Sequence, residues 1–116
     1  MADLDKLTEL DGAIGAVEFT PGGELISARG DLTEDVATMA ARICAANSLM
    51  GTIQSEGFTR LNREGWTPFY GWAFAAGDFS VCVMGHLGVV VEIAKANFND
   101  IFKVLGQEAH IYTKAA

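Results

Sequence analysis

The run TEDVATMAARICAANSLMGTIQS, Thr33 to Ser55, constrains the fold more than any other part of the sequence. It has no proline, a single glycine at Gly51, and apolar residues returning at alternating steps of three and four, which predicts one unbroken helix. Asp31 or Thr33 can accept from the free amides at its start, and Glu34 and Asp35 suit the positive end of its dipole. At about 1.5 Å per residue the helix would be roughly 33 Å long. That is as long as a domain of 116 residues is wide, so the helix must cross a whole face of its sheet.

This helix carries two seams. Val36, Met39, Ile43, Ala46, Met50 and Ile53 form a large apolar one. Ala37, Ala41, Cys44, Ser48 and Gly51 form a second, about 100° round, made only of small residues. A helix on one sheet needs one seam. The expectation is therefore that the large seam faces the sheet and the small one meets the same helix of a second subunit, packed antiparallel about a two-fold axis. The segment approaches the length of a membrane span, but it contains Arg42 and Asn47 and is richer in small residues than in Leu, Ile and Phe, so no membrane span is expected.

The remaining elements follow from turn and cap signals. Asp3 is placed as an N-cap before Leu4 and Leu7, with Asp11 and Gly12 as the stop of a short first helix. Pro21, Gly22 and Gly23 separate two runs that read as a hairpin, Ala13 to Phe19 against Glu24 to Arg29. After the long helix, EGFTRLNREGWTP reads as a loop, with a short strand over Phe58 to Leu61 as the alternative. Three strands then follow, broken at Gly77-Asp78 and at Gly85 to Gly88, and Pro68 suits an edge position for the first. On that strand Tyr70, Trp72 and Phe74 share a face and are candidate interface anchors. The other two are apolar on both faces, as in central strands covered on both sides. Asn97 caps a last helix carrying Phe98, Ile101, Phe102 and Leu105, with Gly106 as its stop. Residues 1–106 form a single domain and 107–116 a C-terminal tail.

Charge removes several functions. Eight Lys and Arg against fifteen Asp and Glu give a net charge of −7, without the basic footprint that nucleic acid or an anionic membrane requires. The acidic, amphipathic start MADLDKLTEL predicts no signal peptide and a cytoplasmic protein. A mean hydropathy of +0.23 is high for so short a chain and points to apolar surface hidden in an oligomer.

Chemistry-bearing residues are few. Cys82, Met84 and His86 stand two apart, as three ligands on one strand face would. Gly85 and Gly88, however, place His86 in a turn, and the second histidine that a copper site requires would have to be His110 in the tail, so no metal is expected. Cys82 and Met84 are expected to pack beneath a helix. Cys44 and Cys82, 38 positions apart, form neither a disulfide framework nor a zinc motif, and are expected to be reduced. If either thiol is reactive, Cys44 is favoured, because paired helices would bring two copies together, and Cys82 could meet Cys44. PGGELIS lacks the lysine of a P-loop, Arg29-Gly30-Asp31 reads as a strand end before a helix cap, and the carboxylates are scattered. No catalytic residue and no cofactor is assigned, and the chain is not expected to be an enzyme.

The order helix, hairpin, long helix, three-stranded meander, helix resembles the roadblock/dynein light chain family within the profilin-like and longin-like folds, together with Asp11-Gly12-Ala13-Ile14 before the first strand and Ser27-Ala28-Arg29-Gly30-Asp31 at the hairpin's end. More narrowly, WTPFYGWAFAAGDFSVCVMG is similar to a prokaryotic roadblock-like group often encoded beside heterodisulfide-reductase-like sulfur-oxidation components. The resemblance implies an α+β fold, with a five-stranded antiparallel sheet between the long helix on one face and the two terminal helices on the other. It also implies a homodimer built from paired long helices and paired edge strands. Some members of the family bind and regulate small GTPases without catalysing hydrolysis alone. The expected function is a homodimeric, non-catalytic adaptor or regulatory subunit of a larger complex, linked to a small GTPase or to a sulfur-oxidation redox complex. The alternative is a thiol-based sulfur carrier or a small-ligand-binding protein.

Overall fold

A computed structural model describes residues 2–62 and 65–111. Helix α1 spans Leu4–Thr8, strands β1 and β2 span Ala13–Phe19 and Leu25–Gly30, and helix α2 spans Glu34–Asn62. Strands β3, β4 and β5 follow at Gly71–Ala76, Phe79–Met84 and Leu87–Glu92, then a 3-10 turn at Ile93–Lys95 and helix α3 at Phe98–Glu108. The expected caps are in place. The Asp5 amide donates to Asp3 Oδ1 at 3.0 Å, the Val36 amide to Thr33 Oγ1 at 3.2 Å, and the Asp100 amide to Asn97 Oδ1 at 3.2 Å.

The five strands form one antiparallel sheet in the order β2-β1-β5-β4-β3. The two central strands, β5 and β4, are covered on both faces, which explains their unbroken apolar runs. On one face Leu4 and Leu7 of α1 and Ile101 and Leu105 of α3 pack with Cys82 and Met84. On the other, α2 packs over Val17, Phe19 and Val83. The expected α+β fold, a sheet between one long helix and two terminal helices, is the fold observed.

Helix α2 is longer than expected. Its 29 residues at about 1.5 Å each give roughly 43 Å, and the molecule measures 42 Å along its longest axis. The region 56–62, expected as loop or strand, is its last two turns. The chain returning after residue 64 holds them in place. Ser55 Oγ donates to the Trp66 carbonyl, the Trp66 amide donates to Thr59 Oγ1 at 3.0 Å, and the rings of Phe58 and Trp66 lie 5.1 Å apart. These tertiary contacts outweigh the cost of Gly57 in mid-helix, about 1 kcal/mol relative to alanine. Gly106 does not stop α3 either: it is buried, and the helix continues to Glu108. Within the expected tail, residues 107–111 are therefore described and 112–116 lie outside the described residues, as does Arg63 of the expected loop.

The seams of α2 are reversed. Ala37, Ala41 and Cys44, assigned from the sequence to a second subunit, are buried against the sheet of their own chain, and Gly51, assigned with them, is buried against the Phe69 ring that precedes β3. Val36, Met39, Ile43, Met50 and Ile53 face outward. The cause is the size of the side chains beneath. Phe19, Val17, Val83 and Trp72 already fill the layer, so the helix can approach only with small residues. A Cβ added at Gly88 of β5 would stand only 3.4 Å from Cys44 Sγ, a measure of how closely helix and sheet meet.

Candidate functional site

The outward seam of α2 gathers a row of large exposed apolar side chains. Val36, Met39, Ile43, Leu49, Met50 and Ile53 are between 51 % and 63 % exposed. This row runs beside β3, which is an outer strand with one unpaired edge and whose residues Ala73 to Ala76 are exposed. Between helix and strand lies an apolar hollow of about 220 Å3, floored by Val81 and Val90 and walled by Met39, Ile43, Trp72 and Phe74. Helix and edge thus form one continuous apolar surface, of the kind that marks a protein interaction site.

The three aromatic anchors take different places around it. Phe74 projects into the hollow and is 57 % exposed. Trp72 is half-buried and tied to α2, its Nε1 donating to Ser48 Oγ at 2.9 Å. Ser48 is therefore bound to its own sheet as well. Tyr70 precedes β3, and its carbonyl accepts from the Gly85 amide at 2.8 Å.

The thiols lie on opposite sides of the sheet. Cys44 is beneath α2 and Cys82 beneath α3, so the expected meeting of the two cannot occur within one chain. Both are buried and reduced. Burial pushes the Cys44 thiol from its ordinary 9.0 up to about 11. Burial also raises Cys82, against the smaller opposing effect of a hydrogen bond with the Ser80 hydroxyl. Raised pKa and closed access both oppose nucleophilic sulfur chemistry.

His86 stands apart from Cys82 and Met84. It follows Gly85, whose φ of +60° makes the two-residue turn between β4 and β5, and its Nε2 lies 3.3 Å from Glu18 Oε2. Among the described residues no three of His, Cys, Asp and Glu gather as metal ligands would. By length and composition alone α2 could cross a membrane, yet Ala37, Ala41, Cys44 and Ala45 tie one side of it to the sheet.

This arrangement, one long helix and two terminal helices on a five-stranded antiparallel sheet, defines a roadblock/LC7-type fold. A roadblock/LC7 domain from Streptomyces avermitilis superposes with a TM-score of 0.74 at 12 % identity, over 93 % of this chain and 89 % of that one. MglB of Myxococcus xanthus gives a TM-score of 0.68 at 19 % identity, over 95 % and 91 %. An MglB described as having a tetrameric arrangement gives 0.68 at 16 % identity, over 93 % and 83 %. The chain belongs to the family described as "Uncharacterized conserved protein (DUF2173)", whose model matches residues 3–107. No curated protein matches it in sequence.

Two features escaped the sequence reading. One is the outward direction of the large seam. The other is a cluster of Phe58, Trp66 and Phe69 at the far end of α2, the first two inside the segment read as loop and Phe69 just after it, where the first strand of the meander was expected. Three aromatic residues within twelve positions of an otherwise polar stretch were the available signal.

Proposed function

We propose that this chain is a cytoplasmic, non-catalytic adaptor or regulatory subunit that works as a homodimer. The outward seam of α2 packs antiparallel on its counterpart, and the β3 edges lie together beside it. The observation that carries the proposal is the row Val36, Met39, Ile43, Leu49, Met50 and Ile53, exposed along one helix and continuous with Phe74 on an open sheet edge. Burying such a row is the usual reason for a two-fold contact. The similarity in fold to MglB supports a small GTPase as the partner class. A heterodisulfide-reductase-like redox complex rests on the narrower sequence resemblance.

The seam centres near Ala46, so a two-fold antiparallel contact brings two copies of that residue together. Oxidation of an Ala46→Cys variant should then yield a disulfide-linked dimer at micromolar protein. Absence of cross-linking, with a monomer in sedimentation, removes the homodimer. For the adaptor role, capture from native extract should return a defined GTPase or redox complex with wild-type protein and lose it with Ile43→Lys. Equal recovery with both would detach partner binding from the dimer.

A further inference from the structure

Where β3 begins, an open cleft of about 490 Å3 lies between the C-terminal half of α2 and Phe102 of α3. That volume lies within the ordinary range of small-molecule sites. Phe58, Trp66, Phe69, Tyr70 and Trp72 line it, with the Met84 thioether on the α3 side. Three of these rings, Phe58, Trp66 and Tyr70, remain between 47 % and 49 % exposed although they stand together. Two glycines make the space. A Cβ on Gly51 would fall within the Phe69 ring, and one on Gly71 would meet the Met84 sulfur and the Val83 carbonyl. The walls are fixed from behind by Ser55 and Thr59, which hold the backbone of Trp66, and by the Gly85 amide on the Tyr70 carbonyl.

We propose that this cavity binds a neutral, planar aromatic small molecule. No ionised side chain lines it among the described residues, and the chain as a whole carries −7, so an anion would lose hydration without finding a counter-charge. A peptide brings amide and carbonyl groups that must be paired, but the Trp66 amide and carbonyl and the Tyr70 carbonyl are already bonded within the chain. A flat ring requires only the faces and edges of other rings and a polarisable sulfur, which are what the walls present. The Gln54 amide at the rim and the Tyr70 hydroxyl suit one hydrogen-bonding substituent.

The chain's two tryptophans both line the cavity, so its intrinsic fluorescence reports occupancy directly. Titration of the full chain with N-phenyl-1-naphthylamine should show saturable binding of one probe per chain with tryptophan quenching. Phe58→Ala and Trp66→Ala should each weaken it tenfold or more, whereas Met39→Ala, on the same helix but outside the cavity, should change it less than twofold. The sulfonated analogue 8-anilinonaphthalene-1-sulfonate should bind at least tenfold more weakly. Should Trp66→Ala fail to fold by circular dichroism, Phe58→Leu decides the matter, because it keeps apolar bulk, removes the ring and should weaken binding at least threefold. Unsaturable binding, equal binding of the sulfonate, or equal loss with Met39→Ala overturns the proposal. So does binding that appears only after residues 112–116 are removed, which would assign the cavity to the chain's own end.

Discussion

Ile43→Lys places a charge in the middle of the outward seam, and its consequences can be worked out on both sides of the proposed contact. Fully burying an isoleucine contributes about 1.5–3 kcal/mol. Ile43 is still 51 % exposed in the single chain, so a second copy can add roughly half of that, about 0.8–1.5 kcal/mol. A two-fold contact counts the residue twice, giving about 1.5–3 kcal/mol, or a dissociation constant raised about 10- to 150-fold. Fold stability should barely move, within about 0.5 kcal/mol, because the position is exposed and lysine suits a helix. Cys44→Arg reverses this pattern. It forces a charge into a site 1 % exposed beneath α2 and should cost about 3 kcal/mol or more of stability. Sedimentation equilibrium gives the first quantity and urea denaturation at low protein concentration the second. The reasoning about the seams is refuted if Cys44→Arg folds normally and dissociates while Ile43→Lys dimerises as tightly as wild type. A wild type that is monomeric at micromolar concentration refutes the dimer itself.

Three further outcomes follow from the packing. In the folded chain the Cys44 pKa rises from 9.0 to about 11, so between these values the unfolded state releases a proton that the native state keeps, and stability must fall with rising pH. The contribution is intact below about pH 9 and lost by about pH 11, to roughly 3 kcal/mol. Urea midpoints from pH 8 to 11 should show a shallower decline in Cys44→Ala than in wild type, and parallel slopes would refute it. Gly51→Ala should destabilise by about 1–3 kcal/mol despite alanine's better helix propensity, because its methyl displaces the Phe69 ring. A melting temperature equal to or above that of wild type counts against this packing. Neither native cysteine should react with Ellman's reagent on a timescale faster than unfolding, and mass spectrometry after persulfide treatment should find no adduct. A rapid adduct at Cys44 or Cys82 would restore the sulfur-carrier alternative.

Much of the fold was legible because the punctuation is local. Asp3, Thr33 and Asn97 are short polar side chains that satisfy the first amides of a helix; the sequence marked the first and last of these starts directly and left the long helix's cap between Asp31 and Thr33, of which Thr33 is the one bonded. Gly77-Asp78 and Gly85-His86 sit where two-residue turns need a glycine at positive φ, so both breaks of the meander were located, although the second, read as Gly85 to Gly88, ends sooner, with Leu87 and Gly88 already in β5. The helix ends were less legible. Gly57 and Gly106 have the composition of stops, but Ser55, Thr59 and Phe58 are held by Trp66, and Gly106 is buried in α3. A stop signal is a weak local preference, and contacts from residues further along the chain override it.

The reversal of the two seams has a more general cause. A hydrophobic stripe records that a surface will be covered but not by what, and the size of its side chains depends on the surface opposite. The sheet here brings Phe19, Val83 and Trp72 up to α2. At fixed interior density, a large residue on one layer demands a small one on the other. Had these strands carried alanine and glycine on that face, as β3 does at Gly71, Ala73 and Ala75 on its opposite face, the large seam would have been needed inside. The side-chain volumes of the strands were in the sequence, and weighing them against the helix would have turned it the right way. The large seam then remains as the surface still to be covered, by residues that no part of the described chain reaches, and this moves the expected contact between copies from Cys44 to Ile43 and its neighbours.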